Sequence, residues 1–247
     1  MALIGSKAFG VTGPLARPAM CLFAGAGLFI AGSLTGCGGS ETDSSDDAMA
    51  GGEMPSEMMM SEAEITLEEM SVVYAELQTN LGNIVIELDK ENAPISTANF
   101  VSYAEKGSYD GTIFHRVIDG FMIQGGGYEA DLDRRAADAP IENEWQNGLS
   151  NLRGTVAMAR LGNQPDSATN QFFINVSDND FLDRPRDGAG YAVFGRVVDG
   201  MDVVDQIKAV PTTTRGELGD VPVEPVVIES ARVLSASESA PYLGDAG

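Results

Sequence analysis

Residues 114–127 read FHRVIDGFMIQGGG, in which two short apolar runs flank an Ile-Asp-Gly turn. An Asp-Gly pair between β-prone runs is a strong local signal for a β-hairpin. The hairpin places Arg116 and Gln124 on neighbouring antiparallel strands, on a surface that also carries Phe121 and Met122. Such a surface has two interpretations. It is either an arginine whose alkyl chain covers core residues or a shallow apolar pocket with a charged donor at its rim.

Three later segments favour the pocket. They read GTVAMAR (154–160), SATNQFFINV (167–176) and YAVFGRVVDGMDVVD (191–205). Together with residues 114–127, and in this order, they closely resemble the cyclophilin family of peptidyl-prolyl cis-trans isomerases. The resemblance runs from about residue 72 to about residue 234. It implies a mainly β fold, an eight-stranded antiparallel cyclophilin-like barrel with two capping α-helices, and an isomerase that uses no cofactor.

Apolar periodicity leads to the same fold class without the resemblance. Seven or eight short strands with two helices are typical of an antiparallel barrel with capped ends. The predicted strands cover residues 73–77, 84–88, 112–117, 121–124, 155–158, 172–176, 193–197 and 226–234, and the predicted helices cover residues 96–105 and 200–207. Residues 128–150 are long and polar, and we expect them to form a surface loop.

The chain divides into four predicted parts. Residues 1–36 form a lipoprotein signal peptide, residues 37–71 a lipidated cysteine with a flexible acidic tether, residues 72–235 the isomerase domain, and residues 236–247 a disordered tail. Residues 38–71 are mostly Gly, Ser, Asp, Glu and Met, and such a segment buries too little apolar surface to offset its chain entropy. Its six methionines are also compatible with Cu(I) binding, but an unstructured linker is favoured.

The signal peptide is predicted from a basic start and an apolar run over residues 19–32, which is too short to span a membrane. The following LTGC, residues 34–37, resembles the bacterial lipobox. That resemblance implies cleavage before Cys37, a lipid on its thiol and, with Gly38 next, outer-membrane sorting. The protein would then be anchored to the envelope and face the periplasm. The alternatives are an ordinary signal peptide with a chance cysteine and an uncleaved anchor.

Composition excludes several function classes. Asp and Glu outnumber Lys and Arg by 37 to 15, for a formal charge of −22, which argues against nucleic acid as a partner.

Of the two cysteines, Cys21 leaves with the signal peptide and Cys37 carries the lipid, so no disulfide forms in the mature chain. One histidine and no free thiol do not supply a zinc site. We expect no metal, and we expect a monomer.

The single histidine, His115, is the only candidate for nucleophilic catalysis of the Ser-His-Asp or Cys-His type. A histidine that is half-buried and has its hydrogen bonds satisfied is favoured over direct catalysis.

Asp131, Asp133 and Glu142 have the spacing of a calcium loop, but Ala136 occupies the position that requires glycine, so calcium is rejected. Prolyl isomerisation, by contrast, needs no nucleophile, base or metal, because its barrier of about 20 kcal/mol comes from amide resonance.

The resemblance assigns roles to individual residues. Arg116 matches the family's catalytic arginine, and His115 matches the histidine beside it. The proline pocket corresponds to Phe121, Met122, Phe173 and Leu182, and the groups that hold the peptide correspond to Gln124, Gln171 and the backbone around Ala159 and Arg160. Three positions depart from a common pattern: Phe181 stands where Trp is frequent, Tyr191 where His is frequent, and Arg160 where Asn is frequent.

The leading hypothesis is therefore an isomerase that acts on proline-containing exported polypeptides, whose folding slow X-Pro isomerisation can limit. One rival is a proline-peptide binding module or holdase that uses the same groove without turnover. Another is a structural envelope lipoprotein. Arg116 argues against the binding module, because a pure binder has no need of it. Against the structural lipoprotein stands the intact set of site residues, Arg116, Phe121, Gln124, Gln171 and Phe173.

Overall fold

The computed structural model describes residues 72–184 and 187–243. The predicted signal peptide, lipidation site at Cys37 and tether lie outside these residues, as do residues 244–247. No helix in the described part of the chain is both long enough and apolar enough to cross a membrane.

The described residues form strands and short helices in the following chain order: β1 (Val72–Thr79), β2 (Gly82–Asp89), α1 (Pro94–Glu105), β3 (Arg116–Ile118), β4 (Met122–Gly125), β5 (Thr155–Met158), β6 (Phe172–Asn175), β7 (Val193–Asp199), α2 (Met201–Lys208), β8 (Thr212–Arg215), β9 (Leu218–Pro222), β10 (Ile228–Val233) and α3 (Ala236–Ser239), with 3₁₀ turns at Asp180–Leu182 and Ala240–Tyr242. Every predicted strand and helix is present, and each end lies within four residues of its predicted position.

Eight strands form one curled antiparallel sheet in the order β10-β1-β2-β7-β5-β6-β4-β3. A bridge between Ile113 and Val227 links the segment before β3 to the segment before β10, so the two edges of the sheet approach each other. This half-barrel confirms the predicted fold class. The separate β8–β9 hairpin was not predicted, because Thr212–Arg215 is nearly all exposed and carries no apolar alternation.

The predicted Asp-Gly hairpin is present, and it places Arg116 and Gln124 on neighbouring antiparallel strands as expected. Arg116 pairs with Gln124, and Ile118 pairs with Met122. Gly120 has a φ of 73°, in the left-handed region that such a turn requires and that glycine adopts without strain. The strand before the turn is shorter than predicted and begins at Arg116 rather than at residue 112.

The main core lies between the sheet and the two longer helices. Phe100 of α1 is fully buried, and its ring centroid lies 5.1 Å from that of Tyr109, 5.3 Å from Phe172 and 5.5 Å from Phe194. The first turn of α1 is capped from outside the helix: the Glu144 carboxylate accepts hydrogen bonds from the backbone N–H groups of the second and third helical residues. This satisfies donors that a helix leaves open at its start, and it ties the long loop of residues 128–150 to the core.

The disordered tail predicted from residue 236 is not observed in residues 236–243, and this part of the prediction is corrected. The chain instead forms α3 and a 3₁₀ turn up to Tyr242. Ser235 and Glu238 make a reciprocal capping box at the start of α3, and the ring of Tyr242 stacks on Tyr74 with centroids 5.8 Å apart. A short helix with one capping box and one aromatic contact leaves little periodic signal in the sequence.

Candidate active site

Two adjoining cavities open over the face that carries the hairpin. The smaller, here called the apolar pocket, has a volume of about 110 Å³, and the larger, here called the groove, has a volume of about 680 Å³. The apolar pocket is lined by Arg116, Phe121, Met122, Gln124, Ala159, Arg160, Phe173, Leu182 and Tyr191. Every one of these residues was predicted as a site residue from the sequence.

The other predicted residues lie nearby. His115 and Gln171 line the groove, which shares Arg116, Gln124, Ala159 and Arg160 with the apolar pocket. Phe181 lines neither cavity. It stacks on the outer side of the site, with its ring centroid 5.7 Å from that of Phe121.

Strand register explains why these residues meet. Residues paired across neighbouring antiparallel strands share one face of a sheet. Arg116 on β3 pairs with Gln124 on β4, and Gln124 pairs with Phe173 on β6. Phe173 pairs with Ala157 on β5, which pairs with Val193 on β7. The row therefore runs from a cation at the sheet edge, through an amide, to an apolar floor.

The apolar floor is a small hydrophobic cluster distinct from the main core. Its buried members are Met122, Ala157, Phe173, Leu182 and Val193, and Ile118, Phe121, Leu149, Ala159 and Tyr191 pack against them. Six residues of this cluster line the apolar pocket: Phe121, Met122, Ala159, Phe173, Leu182 and Tyr191. A compact apolar ring is the group that such a pocket would take from water.

Arg116 stands at the rim with its guanidinium largely uncommitted. Its side chain is 43% exposed, its Nε lies 3.9 Å from an Asp220 carboxylate oxygen, and its guanidinium carbon lies 6.0 Å from the Phe121 ring centroid. Among the residues that the structure describes, it makes no hydrogen bond within the usual distance. Its N–H donors are therefore available to a ligand. Sequence reasoning missed Asp220, since β9 carries it to the site from far along the chain.

The amide groups next to Arg116 are held together. Gln124 Nε2 donates to Gln171 Oε1 at 2.9 Å. The glycines after β4 make this approach feasible: a Cβ at Gly127 would lie 2.5 Å from Gln171 Cγ, and a Cβ at Gly126 would lie 2.7 Å from the Asn170 carbonyl oxygen. The glycine run thus allows close packing of two chain segments, and Gly126 also has a φ of 84°.

His115 is buried, and its ring centroid lies 4.6 Å from that of Tyr128. Burial lowers the pKa of its imidazole to about 4, with the neighbouring Arg116 charge acting in the same direction. The ring is therefore neutral at pH 7. A neutral, buried imidazole does not add charge to the site, and it supports the groove wall beside Arg116.

Arg160 differs from Arg116 although both line the apolar pocket. Its side chain is only 2% exposed and forms an ion pair with Asp187 at 2.6 Å. The same guanidinium lies over the ring of Tyr191, 4.5 Å from its centroid.

The described residues contain no group of three or more His, Cys, Asp and Glu side chains placed to hold a metal ion. The chemistry of the site therefore derives from one open guanidinium, two amides and an apolar cavity.

Comparisons with known proteins agree with this geometry. The family model for "Cyclophilin type peptidyl-prolyl cis-trans isomerase/CLD" matches residues 74–233. A peptidyl-prolyl cis-trans isomerase of Acinetobacter baylyi is 57% identical over 171 residues, which are 69% of this chain and 90% of the relative. Peptidyl-prolyl cis-trans isomerase B of Escherichia coli is 56% identical over 158 residues, 63% of this chain and 96% of the relative.

A solved structure is similar over the same region. The crystal structure of a cyclophilin type peptidyl-prolyl cis-trans isomerase of Cryptosporidium parvum, in the presence of the dipeptide Ala-Pro, has a TM-score of 0.55 at 26% identity. The match covers 66% of this chain and 99% of that one. The family match, the bacterial relatives and the fold all agree. The chain therefore belongs to the cyclophilin-type peptidyl-prolyl cis-trans isomerases, and its activity is the cis-trans isomerisation of prolyl peptide bonds.

Proposed function

We propose that the apolar pocket receives the proline ring of a polypeptide and that Arg116 assists rotation about the preceding peptide bond. The observation that carries this proposal is a half-exposed guanidinium at the rim of an apolar pocket of about 110 Å³. The solved relative from Cryptosporidium parvum, determined in the presence of Ala-Pro, supports a proline-containing ligand.

The reaction needs stabilisation of a twisted amide. Rotation removes the resonance that makes the peptide bond planar and localises the lone pair on the proline nitrogen. A guanidinium N–H that donates to this nitrogen, or that holds the substrate carbonyl, interacts more strongly with the twisted form than with either planar isomer. Arg116 is the group at the rim with donors to spare. The apolar floor grips the proline ring and keeps competing water away.

The rival function is peptide binding without turnover. A protease-coupled assay on an X-Pro peptide, run beside a binding titration on residues 38–247, separates the two. We expect turnover that rises with enzyme concentration and saturates near the measured peptide affinity. Binding of the proline peptide with no acceleration of isomerisation would replace the Arg-assisted mechanism with the binding-module hypothesis.

For the cellular role, we infer a lipid-anchored enzyme of the bacterial envelope that faces the periplasm and assists the folding of exported proteins. The support is the LTGC sequence at residues 34–37 after a short apolar run, and the lipid would be attached to Cys37. Gly38 favours the outer membrane. The anchor would leave the isomerase domain to act on polypeptides that reach the periplasm.

Fractionation of cells that express the full chain tests this role. Cys37→Ser should remove the protein from the membrane fraction, whereas Cys21→Ser, the matched control, should leave it there. A Cys37→Ser variant that stays in the membrane would show that the apolar run is an uncleaved anchor.

A further inference from the structure

The guanidinium of Arg160 has every one of its donors occupied within the protein. Nε donates to the Gly190 carbonyl at 3.0 Å. Nη1 donates to the Leu161 carbonyl and to one Asp187 carboxylate oxygen, each at 3.2 Å. Nη2 donates to the other Asp187 oxygen at 2.6 Å and to the Ala189 carbonyl at 2.5 Å. An arginine has five N–H donors, so none remains for a substrate.

Four of these five bonds end on one short segment. Asp187, Ala189 and Gly190 immediately precede Tyr191, a wall of the apolar pocket. Asp187 also accepts a hydrogen bond from the backbone N–H of Asn163 at 3.0 Å. The Arg160 bond to its carboxylate lowers the pKa of Asp187 to about 2, so the carboxylate is ionised at pH 7 and the ion pair is present there.

The Tyr191 ring is oriented by two contacts. The guanidinium of Arg160 lies 4.5 Å from its centroid, a favourable cation–π distance. The Phe173 ring lies 5.8 Å away at an interplanar angle of 77°, the edge-to-face arrangement that aromatic pairs prefer. The backbone of Tyr191 is fixed separately, through its N–H to the Leu182 carbonyl. Arg160 therefore acts on this segment in two ways, on the chain path of residues 187–190 through hydrogen bonds and on the Tyr191 ring through the cation–π contact.

We propose that Arg160 is a positioning residue for substrate affinity: its saturated guanidinium fixes residues 187–191 and the Tyr191 ring, and thereby shapes the wall of the proline pocket without touching the peptide itself. This inference rests on the assignment of the apolar pocket as the proline site. Lysine is not equivalent here, because three donors on a point charge do not reproduce a five-donor planar fork.

Trp145 reports on this segment. It is the only tryptophan of the chain, and Gly190 is packed so closely beneath it that a Cβ there would lie 2.9 Å from Trp145 Cε3. Displacement of residues 187–191 should therefore change the emission of Trp145 in a protein that is otherwise folded.

The test compares Arg160→Gln, Arg160→Lys and Arg153→Gln in the full chain. Arg153 is the matched control, since it forms an exposed ion pair with Asp205 and lines neither cavity. We expect Arg160→Gln to raise KM about tenfold while kcat stays within about threefold, the pattern that results when binding is lost equally from the ground state and the transition state. Arg160→Lys should give a smaller increase. Trp145 emission should shift in both Arg160 variants and not in the control.

A double-mutant cycle shows whether Arg160 acts through Tyr191. If it does, Arg160→Gln adds no further increase in KM once Tyr191→Ala is present. A full additional increase in that background overturns the proposal, as does wild-type KM in an Arg160→Gln protein with a cooperative thermal transition. Should the Gln variant fail to fold, the KM of Arg160→Lys decides in the same way.

Tyr191→Ala separates a wrong role for Arg160 from a wrong assignment of the apolar pocket. Tyr191→Ala with unchanged KM overturns the apolar pocket as the proline site, and this inference with it. Tyr191→Ala with raised KM, beside unchanged Trp145 emission and KM in the Arg160 variants, overturns this inference alone.

Discussion

Two arginines line the same apolar pocket, and they use their guanidinium groups in opposite ways. Arg116, at the sheet edge on β3, is 43% exposed and has only a 3.9 Å ion pair with Asp220. Arg160, two residues after β5, has a side chain that is 2% exposed, and all five of its N–H donors bond to the protein. The first is available to a substrate, and the second stabilises the wall against which the substrate lies.

Residue type and proximity to a pocket therefore do not by themselves assign a role to a side chain. Both side chains belong to the pocket lining. The two differ in how many guanidinium N–H groups already bond to the protein. Arg116 has N–H groups left to donate to the rotating amide of a substrate, and Arg160 has none. Substitutions at the two arginines should therefore act on different kinetic constants, kcat at Arg116 and KM at Arg160.

The largest expected effect is at Arg116. Arg116→Ala should lower kcat/KM by about a hundredfold or more, equivalent to roughly 3 kcal/mol of transition-state stabilisation. Arg116→Lys should recover little, because an ammonium lacks the planar fork. The coupled X-Pro assay on folded variants measures both. Near-wild-type turnover in Arg116→Ala would remove the distinction between the two arginines.

The next effect concerns the apolar wall between them. Phe121→Ala should raise KM by about thirtyfold, since loss of contact with one aromatic ring is worth about 2 kcal/mol. Phe181→Ala is the matched control and should cost much less, because Phe181 stacks on Phe121 from outside the pocket lining. Equal losses in the two variants would mean that Phe181 contacts the peptide directly.

A smaller effect is expected from pH. Because burial lowers the pKa of His115 to about 4, its ring is neutral between pH 6 and 8, and kcat/KM should be flat there. The unfolded chain binds a proton near pH 6.5, so the neutral state of His115 stabilises the fold fully above that pH. This contribution is lost as the pH falls towards 4.

Urea unfolding at pH 7 and pH 4.5 measures this linkage. Between these pH values the wild type should lose about 2 kcal/mol more unfolding free energy than His115→Gln does. The same variant should keep most of its turnover, because bond rotation requires no proton transfer. An inflection of kcat/KM near pH 6.5 that disappears in His115→Gln would instead make the histidine an acid–base group.

The smallest effect is expected at Asp220. Its pair with Arg116 is long and about half exposed, and such pairs contribute about 0–1 kcal/mol. Asp220→Asn should therefore change kcat/KM by less than about threefold. Asn is a clean substitution, since the residue has a φ of 59° and Asn tolerates the left-handed region. A tenfold change would show that Asp220 positions Arg116.

Local signals predicted much of this molecule. The Asp-Gly turn predicted the hairpin and the placement of Arg116 and Gln124 on neighbouring strands, whereas their direct pairing is visible only in the structure. The pocket lining followed from motifs of the family. Long-range side-chain contacts did not follow: nothing local to Arg160 indicates Asp187 as its partner, and nothing local to Arg116 indicates Asp220. Capping of α1 by Glu144, from a loop about 50 residues away in sequence, escaped prediction for the same reason.

In the proposed mechanism, Arg116 acts on the rotating amide rather than on peptide affinity. The most direct measurement is the cis-trans interconversion rate of an X-Pro peptide under saturating Arg116→Ala protein, obtained by NMR exchange spectroscopy together with the peptide Kd. For Arg116→Ala we expect a peptide Kd within about threefold of that of the wild type, and a cis-trans interconversion rate of the bound peptide that is about a hundredfold lower. A bound-state rate equal to that of the wild type, with weakened binding alone, would contradict it.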